Sequence, residues 1–232
     1  MRSANPESGS ATVVVMPHVL SVNVGSRVEF DQAAVGHTGI GKRPAPGPVE
    51  VRAPGPVGSG LVGDHISDGR HHGGDDQAVY AYAREDLDAW AVELGRADLR
   101  PGLFGENLTT AGVDVCGARI GERWRIGGLL LQATSPRVPC RTFAGVMEED
   151  AWMKTFTRRG LPGTYFRVLE PGTITAGDEI VIEHRPDHDV TIAFAFRALT
   201  LEPASLPDVL AAGDDLTEDL RRRVERRTSD PA

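Results

Sequence analysis

A β-barrel with a few helices and a small C-terminal helical segment, mainly β with α, is the fold class the sequence predicts. Three observations predict it. Between residues 18 and 185, short apolar runs alternate with Gly and Pro turns, as in a sheet that curls on itself. One amphipathic helix interrupts that alternation. After residue 187 the strand signals fade and apolar residues recur at helical spacing. The expected division is a disordered tail over 1–11, a β-barrel domain over 12–187 and a helical segment over 188–232.

Each element follows from its local pattern. Residues 1–11 contain too little apolar material to bury and read as tail. HVLSVNVG, PVEVRA, RWRIGGLLLQAT, TYFRVL and DEIVIEH read as strands, and RPAPGPVE and LEPGTITAGD as turn-rich connections. AREDLDAWAVELGR places Leu87, Trp90, Ala91 and Leu94 at i, i+3, i+4 and i+7, with Gly95 as a stop. A second short helix is expected over about 148–159. In SLPDVLAAGDDLTEDLRRRVERR, Leu216, Leu220 and Val224 share one helical face. Acidic residues lead and arginines follow there, which suits the helix dipole.

Composition narrows the function classes. A chain of 232 residues can bury a core without staples. Its formal charge of −8 argues against broad nucleic-acid binding. Two cysteines, Cys116 and Cys140, make no zinc-type set, and the expectation is a reduced, cytoplasmic protein. The apolar run VVVM is too short to span a bilayer.

The chemistry concentrates at SPRVPCRTF. Cys140 stands between Arg137 and Arg141 on a stiff turn, where two cations would favour a thiolate; a buried structural cysteine is the alternative. HHGGDDQAVYAY offers two histidines, two glycines and two aspartates. It reads either as a nest for an anion, as a metal set of His65, His71, His72 and Asp75, or as a polar loop capping the following helix. GIGKRP puts Lys42 and Arg43 on a loop suited to an anion, and FGEN reads as an Asx-type turn at Asn107. No phosphate-binding P-loop, dinucleotide fingerprint or nucleophile elbow is present.

Taken in order, GIGKRP, GLVGDHISDGRHHGGDDQAVYAY, FGENLT, IGERWRIG and PRVPC resemble the MOSC domain family, and more closely its bacterial YiiM-like subgroup. The resemblance runs over about residues 18–225 and implies a β-barrel followed by a small three-helix segment. It also implies binding of the molybdenum cofactor (molybdopterin) and reduction of N-hydroxylated compounds with electrons from a separate flavoprotein reductase. The family's metal-ligand cysteine falls on Cys140. Its other site positions fall on Lys42, His72, Asn107 and Arg137. The glycines Gly73 and Gly74 of HGG, with Arg141 and Thr142 beside the cysteine, complete the expected cofactor contacts. Where related eukaryotic amidoxime reducers carry an arginine in the loop matching FGEN, this chain has Gly105. Two other readings of the same residues are a sulfur carrier or transferase working through a Cys140 persulfide, and a carrier that binds the cofactor without turnover.

Overall fold

The computed structural model of the chain describes residues 16–229, so the tail expected over 1–11 lies outside the described residues. Twelve strands occur among them: β1 (His18–Val24), β2 (Val28–Glu29), β3 (His37–Thr38), β4 (Arg43–Pro44), β5 (Val49–Val51), β6 (Val79–Ala83), β7 (Leu108–Ala111), β8 (Arg123–Ile126), β9 (Leu129–Pro136), β10 (Thr164–Glu170), β11 (Gly172–Ile174) and β12 (Val181–His184). Eight of them form one mixed sheet in the order β12-β8-β9-β10-β6-β7-β1-β4. The β5–β11 and β2–β3 pairs stand apart from it.

The sheet curls without a continuous closing ladder among the described residues. Its nearest approach to closure lies between β1 and the run into β12. There Val19 N donates to Asp178 O (2.9 Å), Gly177 N to Val19 O (2.8 Å) and Ile180 N to Pro17 O (2.9 Å). The barrel of the sequence reading is therefore a strongly curled eight-stranded sheet. RWRIGGLLLQAT, read as one strand, is a hairpin: Gly127, at φ 57°, turns β8 into β9.

The one parallel pair, β6 with β7, has the helix α1 (Arg84–Leu94) as its crossover. Gly95 ends α1 in the left-handed region at φ 63°, as its position predicts. The helix expected over about 148–159 is α3 (Trp152–Arg159), and a further helix, α2 (Arg141–Met147), precedes it. After β12 come α4 (Ile192–Thr200), a 3₁₀ run over Pro203–Asp215 broken at Gly213, and α5 (Glu218–Ser229). No described helix is long and apolar enough to cross a membrane.

The period of two on β6 separates two cores. Val79, Ala81 and Ala83 point into an aliphatic core with Trp124, Leu131 and Phe166, while Tyr80 and Tyr82 point into an aromatic one. The aromatic core stacks Trp90, Phe104, Phe143, Trp152 and Phe156, with Trp90 and Trp152 centroids 4.9 Å apart. Leu206, Leu216, Leu220 and Val224 of the C-terminal helices join the aliphatic core, and Leu210 packs against it half-buried. The C-terminal helical segment is thus part of the fold's interior. Leu220→Ala should lower stability by about 2–5 kcal/mol, read as a fall in urea midpoint. Val92→Ala, on the exposed side of α1, should stay within about 0.5 kcal/mol of the parent.

Candidate functional site

The site lies where loops from β1, β3–β4, β5–β6, β6–β7 and β9–α2 meet the rim of the aromatic core. Asn107 stitches it. Its backbone N donates to Tyr80 O (2.7 Å), and its O accepts from Asn23 N (2.6 Å). Its carboxamide accepts from Tyr80 N (3.1 Å) and donates to Asn23 O (3.3 Å) and to Asp64 Oδ2 (2.9 Å). Asp64 also accepts from Gly25 N (2.7 Å) and holds the Lys42 ammonium. The Asp64 side chain is fully buried and that of Lys42 is 5% exposed. Burial pushes the Lys42 amine down, and Asp64 opposes the shift.

Two residues that sequence reasoning missed hold this loop in place. Arg100 donates to Lys42 O (2.5 Å) and to Gly41 O (3.2 Å). Gly102, at φ 82°, lies so close to that carbonyl that a Cβ there would sit 2.4 Å from Lys42 O. Glu106 is fully buried and ties the FGEN loop down. Its Oε1 accepts from Gly102 N (2.6 Å) and Thr109 Oγ1 (2.8 Å), and its Oε2 has no partner among the described residues. Burial pushes its carboxyl up, against those hydrogen bonds.

Arg137 follows β9 directly. Its guanidinium lies 5.0 Å from the Tyr80 ring centroid and 4.9 Å from that of Phe143, a two-sided cation–π sandwich. It is 5% exposed, and its Nε is buried with no hydrogen-bond partner among the described residues. Cys140 has a free thiol. It is the N-cap of α2, half-buried against the aromatic core, and its carbonyl accepts from Ala144 N (3.0 Å). Nothing in SPRVPCRTF marks a helix start at Arg141, because Cys140 makes no side-chain cap.

His72 is half-buried near Arg137, with its backbone N on Asp68 O (3.0 Å). Burial first, then Arg137, hold its imidazole down at about 4. Its folded value is thus depressed below the ordinary 6.5. The unfolded chain binds the extra proton between those values, so stability falls as pH drops from about 6.5 toward 4. His72→Gln should remove on the order of 2–3 kcal/mol of that acid-side loss, measured by urea unfolding at pH 7 and pH 4.5.

Lys42 and Asn107 meet on Asp64, and Arg137 is the charged neighbour common to Lys42, His72 and Cys140, so the five, from loops far apart in sequence, border one polar seam. Lys42, Asn107 and Arg137 are buried in it, so the seam is largely closed. The remaining expected contacts stand differently. Gly73 and Gly74 have positive φ because the 55–58 loop packs on them; a Cβ would meet Gly58 O at 2.4 Å and Pro56 O at 2.8 Å. Their freedom serves this packing, and Gly74 N donates to Gly58 O (2.9 Å). Arg141 is exposed and Thr142 half-buried in the first turn of α2, and neither is tied to the seam by a hydrogen bond or ion pair among the described residues. The alternative metal set of His65, His71, His72 and Asp75 does not gather: no three His, Cys, Asp or Glu side chains of the described residues form a cage. Cys116 is 2% exposed, with burial pushing its thiol up and Gly163 N donating to its Sγ (3.3 Å).

The donor set fits an anionic group that takes a sulfur ligand. A free thiol, an imidazole neutral at pH 7 and a buried cation with an unpartnered N–H stand together, while the space beside Gly105 is taken by Ile40. A Cβ on Gly105 would lie 3.4 Å from Arg137 Nη1 and collide with Ile40.

Comparison with known proteins defines the class. The MOSC domain pattern matches residues 68–181. The uncharacterized protein YflK of Bacillus subtilis is 34% identical over 181 residues, 77% of this chain and 79% of that protein. The chain therefore belongs to the MOSC domain family. The crystal structure of YiiM from Geobacillus stearothermophilus superposes with a TM-score of 0.73 at 27% identity, covering 91% of this chain and 98% of that one, so the fold is YiiM-like. A protein of Gibberella moniliformis named Reductase is 34% identical over 132 residues, 55% of this chain but only 23% of its own length.

Proposed function

We propose that this chain binds the molybdenum cofactor through Cys140 and reduces N-hydroxylated compounds in the cytoplasm with electrons from a separate flavoprotein reductase. One observation carries the reading: a free, half-buried thiol beside a buried arginine whose Nε has no partner. When bound, the cofactor would supply a sulfur-ligated two-electron redox centre able to take the hydroxyl oxygen, with two electrons from the reductase and two protons leaving it as water. Cys140 would provide the thiolate ligand. Arg137 would hold an anionic part of the cofactor, fixed in direction by the two rings on its faces. His72 would face the site uncharged at neutral pH and accept a hydrogen bond without repelling Arg137. The aromatic core behind Arg137 keeps water off that side of the seam. MOSC family membership supports the cofactor. The reductase-named relative supports redox chemistry, and its much greater length suits a MOSC unit that works with a separate electron source.

The test is an anaerobic assay of cofactor-loaded protein with a chemical reductant and an N-hydroxylated purine. Formation of the amine with turnover is expected. No reduction, together with a persulfide on Cys140 that passes sulfur to an acceptor thiol, would replace this reading with sulfur transfer. Cofactor bound with neither reaction would make the protein a carrier.

A further inference from the structure

We infer that Lys42 and Asp64 form an internal post that builds the wall of the site, and that the anionic part of the bound ligand is taken by Arg137 rather than by Lys42. The inference rests on the cofactor reading above and departs from the role the family resemblance gives Lys42.

The geometry of the two cations differs. The Lys42 ammonium is held by a fully buried carboxylate, and the lysine side chain is 5% exposed. Both oxygens of Asp64 are already engaged. One oxygen takes Gly25 N and Lys42 Nζ, and the other takes Asn107 Nδ2. Lys42's own carbonyl is gripped by Arg100. Moving the ammonium onto a ligand would strand a buried carboxylate, which is costly. Arg137 shows the opposite pattern. It is as deeply buried, yet its neighbours are aromatic faces, and its Nε has no acceptor among the described residues. A buried guanidinium N–H without an acceptor gains a charge-assisted bond from an incoming anion. The post ties three chain segments to the Asp64 loop, through Gly25, Lys42 and Asn107, and Asn107 in turn fixes the Tyr80 backbone, whose ring covers one face of Arg137.

Four proteins decide it: the parent, Lys42→Met, the neutral double variant Lys42→Met/Asp64→Asn, and Arg137→Gln. Breaking the post from one side should lower Tm by about 6 °C or more. The double variant keeps an acceptor for Gly25 N and leaves no lone buried charge, so it should regain at least half of that loss. Made in a cofactor-sufficient host, it should carry molybdenum and pterin within about twofold of the parent, while Arg137→Gln carries less than about a tenth. A Lys42→Met protein as stable as the parent would overturn the post. A double variant that regains Tm but loads no cofactor would show Lys42 to be a ligand contact. Should the parent itself carry no cofactor, the cofactor reading fails, and the Tm cycle alone decides whether the post exists.

Discussion

Cys140→Ser should abolish N-hydroxyl reduction, by more than about 100-fold in kcat/KM, with the fold intact, while Cys116→Ser should leave activity near that of the parent. Loss of a residue that merely orients a metal ligand costs 10–100-fold, so loss of the ligand itself should exceed that. A serine hydroxyl is a far weaker acid than a thiol and stays protonated at neutral pH, so it does not replace a thiolate ligand. Cys140 sits at the surface end of the aromatic core, capping α2 with its backbone rather than its side chain, so the substitution removes little packing. Cys116 is buried, with Gly163 N and Asp86 against its sulfur, and makes no hydrogen bond to Lys42, His72, Asn107, Arg137 or Cys140 among the described residues. The assay needs loaded protein and a chemical reductant, so that a missing electron partner does not mimic a dead site. Equal loss in both variants would remove the ligand role from Cys140.

Arg137→Met should separate stability from function. Methionine fills the space between the Tyr80 and Phe143 rings and makes favourable sulfur–aromatic contacts. It also removes a buried charge with an unpartnered N–H, so urea stability should stay level or rise. Affinity for the anionic cofactor should nevertheless fall by about 30-fold or more, the scale of losing one buried charge contact. A variant that is both destabilised by several kcal/mol and fully loaded would invert the assignment and make Arg137 structural.

How far the sequence led depends on whether the signal was local. Arg137 and Cys140 share one nine-residue stretch, so their pairing was legible. The alternation in HVLSVNVG and TYFRVL, and the stop at Gly95, are likewise local and reappear as β1, β10 and the end of α1. What the sequence hid was built across distance. Asp64 is one acid in a glycine-rich loop, and its partners Gly25, Lys42 and Asn107 lie up to 43 positions away. Arg100 shows nothing in ADLRPG of the carbonyls it grips. α4 falls inside the helical segment expected over 188–232, but its own run IAFAFRALT does not mark it, because it is apolar nearly all round, which a buried helix and a strand share. Gly73 and Gly74 were read as room for a ligand because positive φ and close approach look alike in sequence; only the packing shows that the 55–58 loop is what approaches. The resemblance to the MOSC family located the seam, and the hydrogen bonds then divided its residues into those already satisfied by the protein and those left free.

Molybdenum and pterin content per chain, measured on parent and Cys140→Ser protein from the same cofactor-sufficient host, tests the central claim most directly. The account predicts both approaching one per chain in the parent, with molybdenum lost in Cys140→Ser while its unfolding midpoint stays put. A parent free of molybdenum and pterin, or a Cys140→Ser protein that retains both in full, would contradict it.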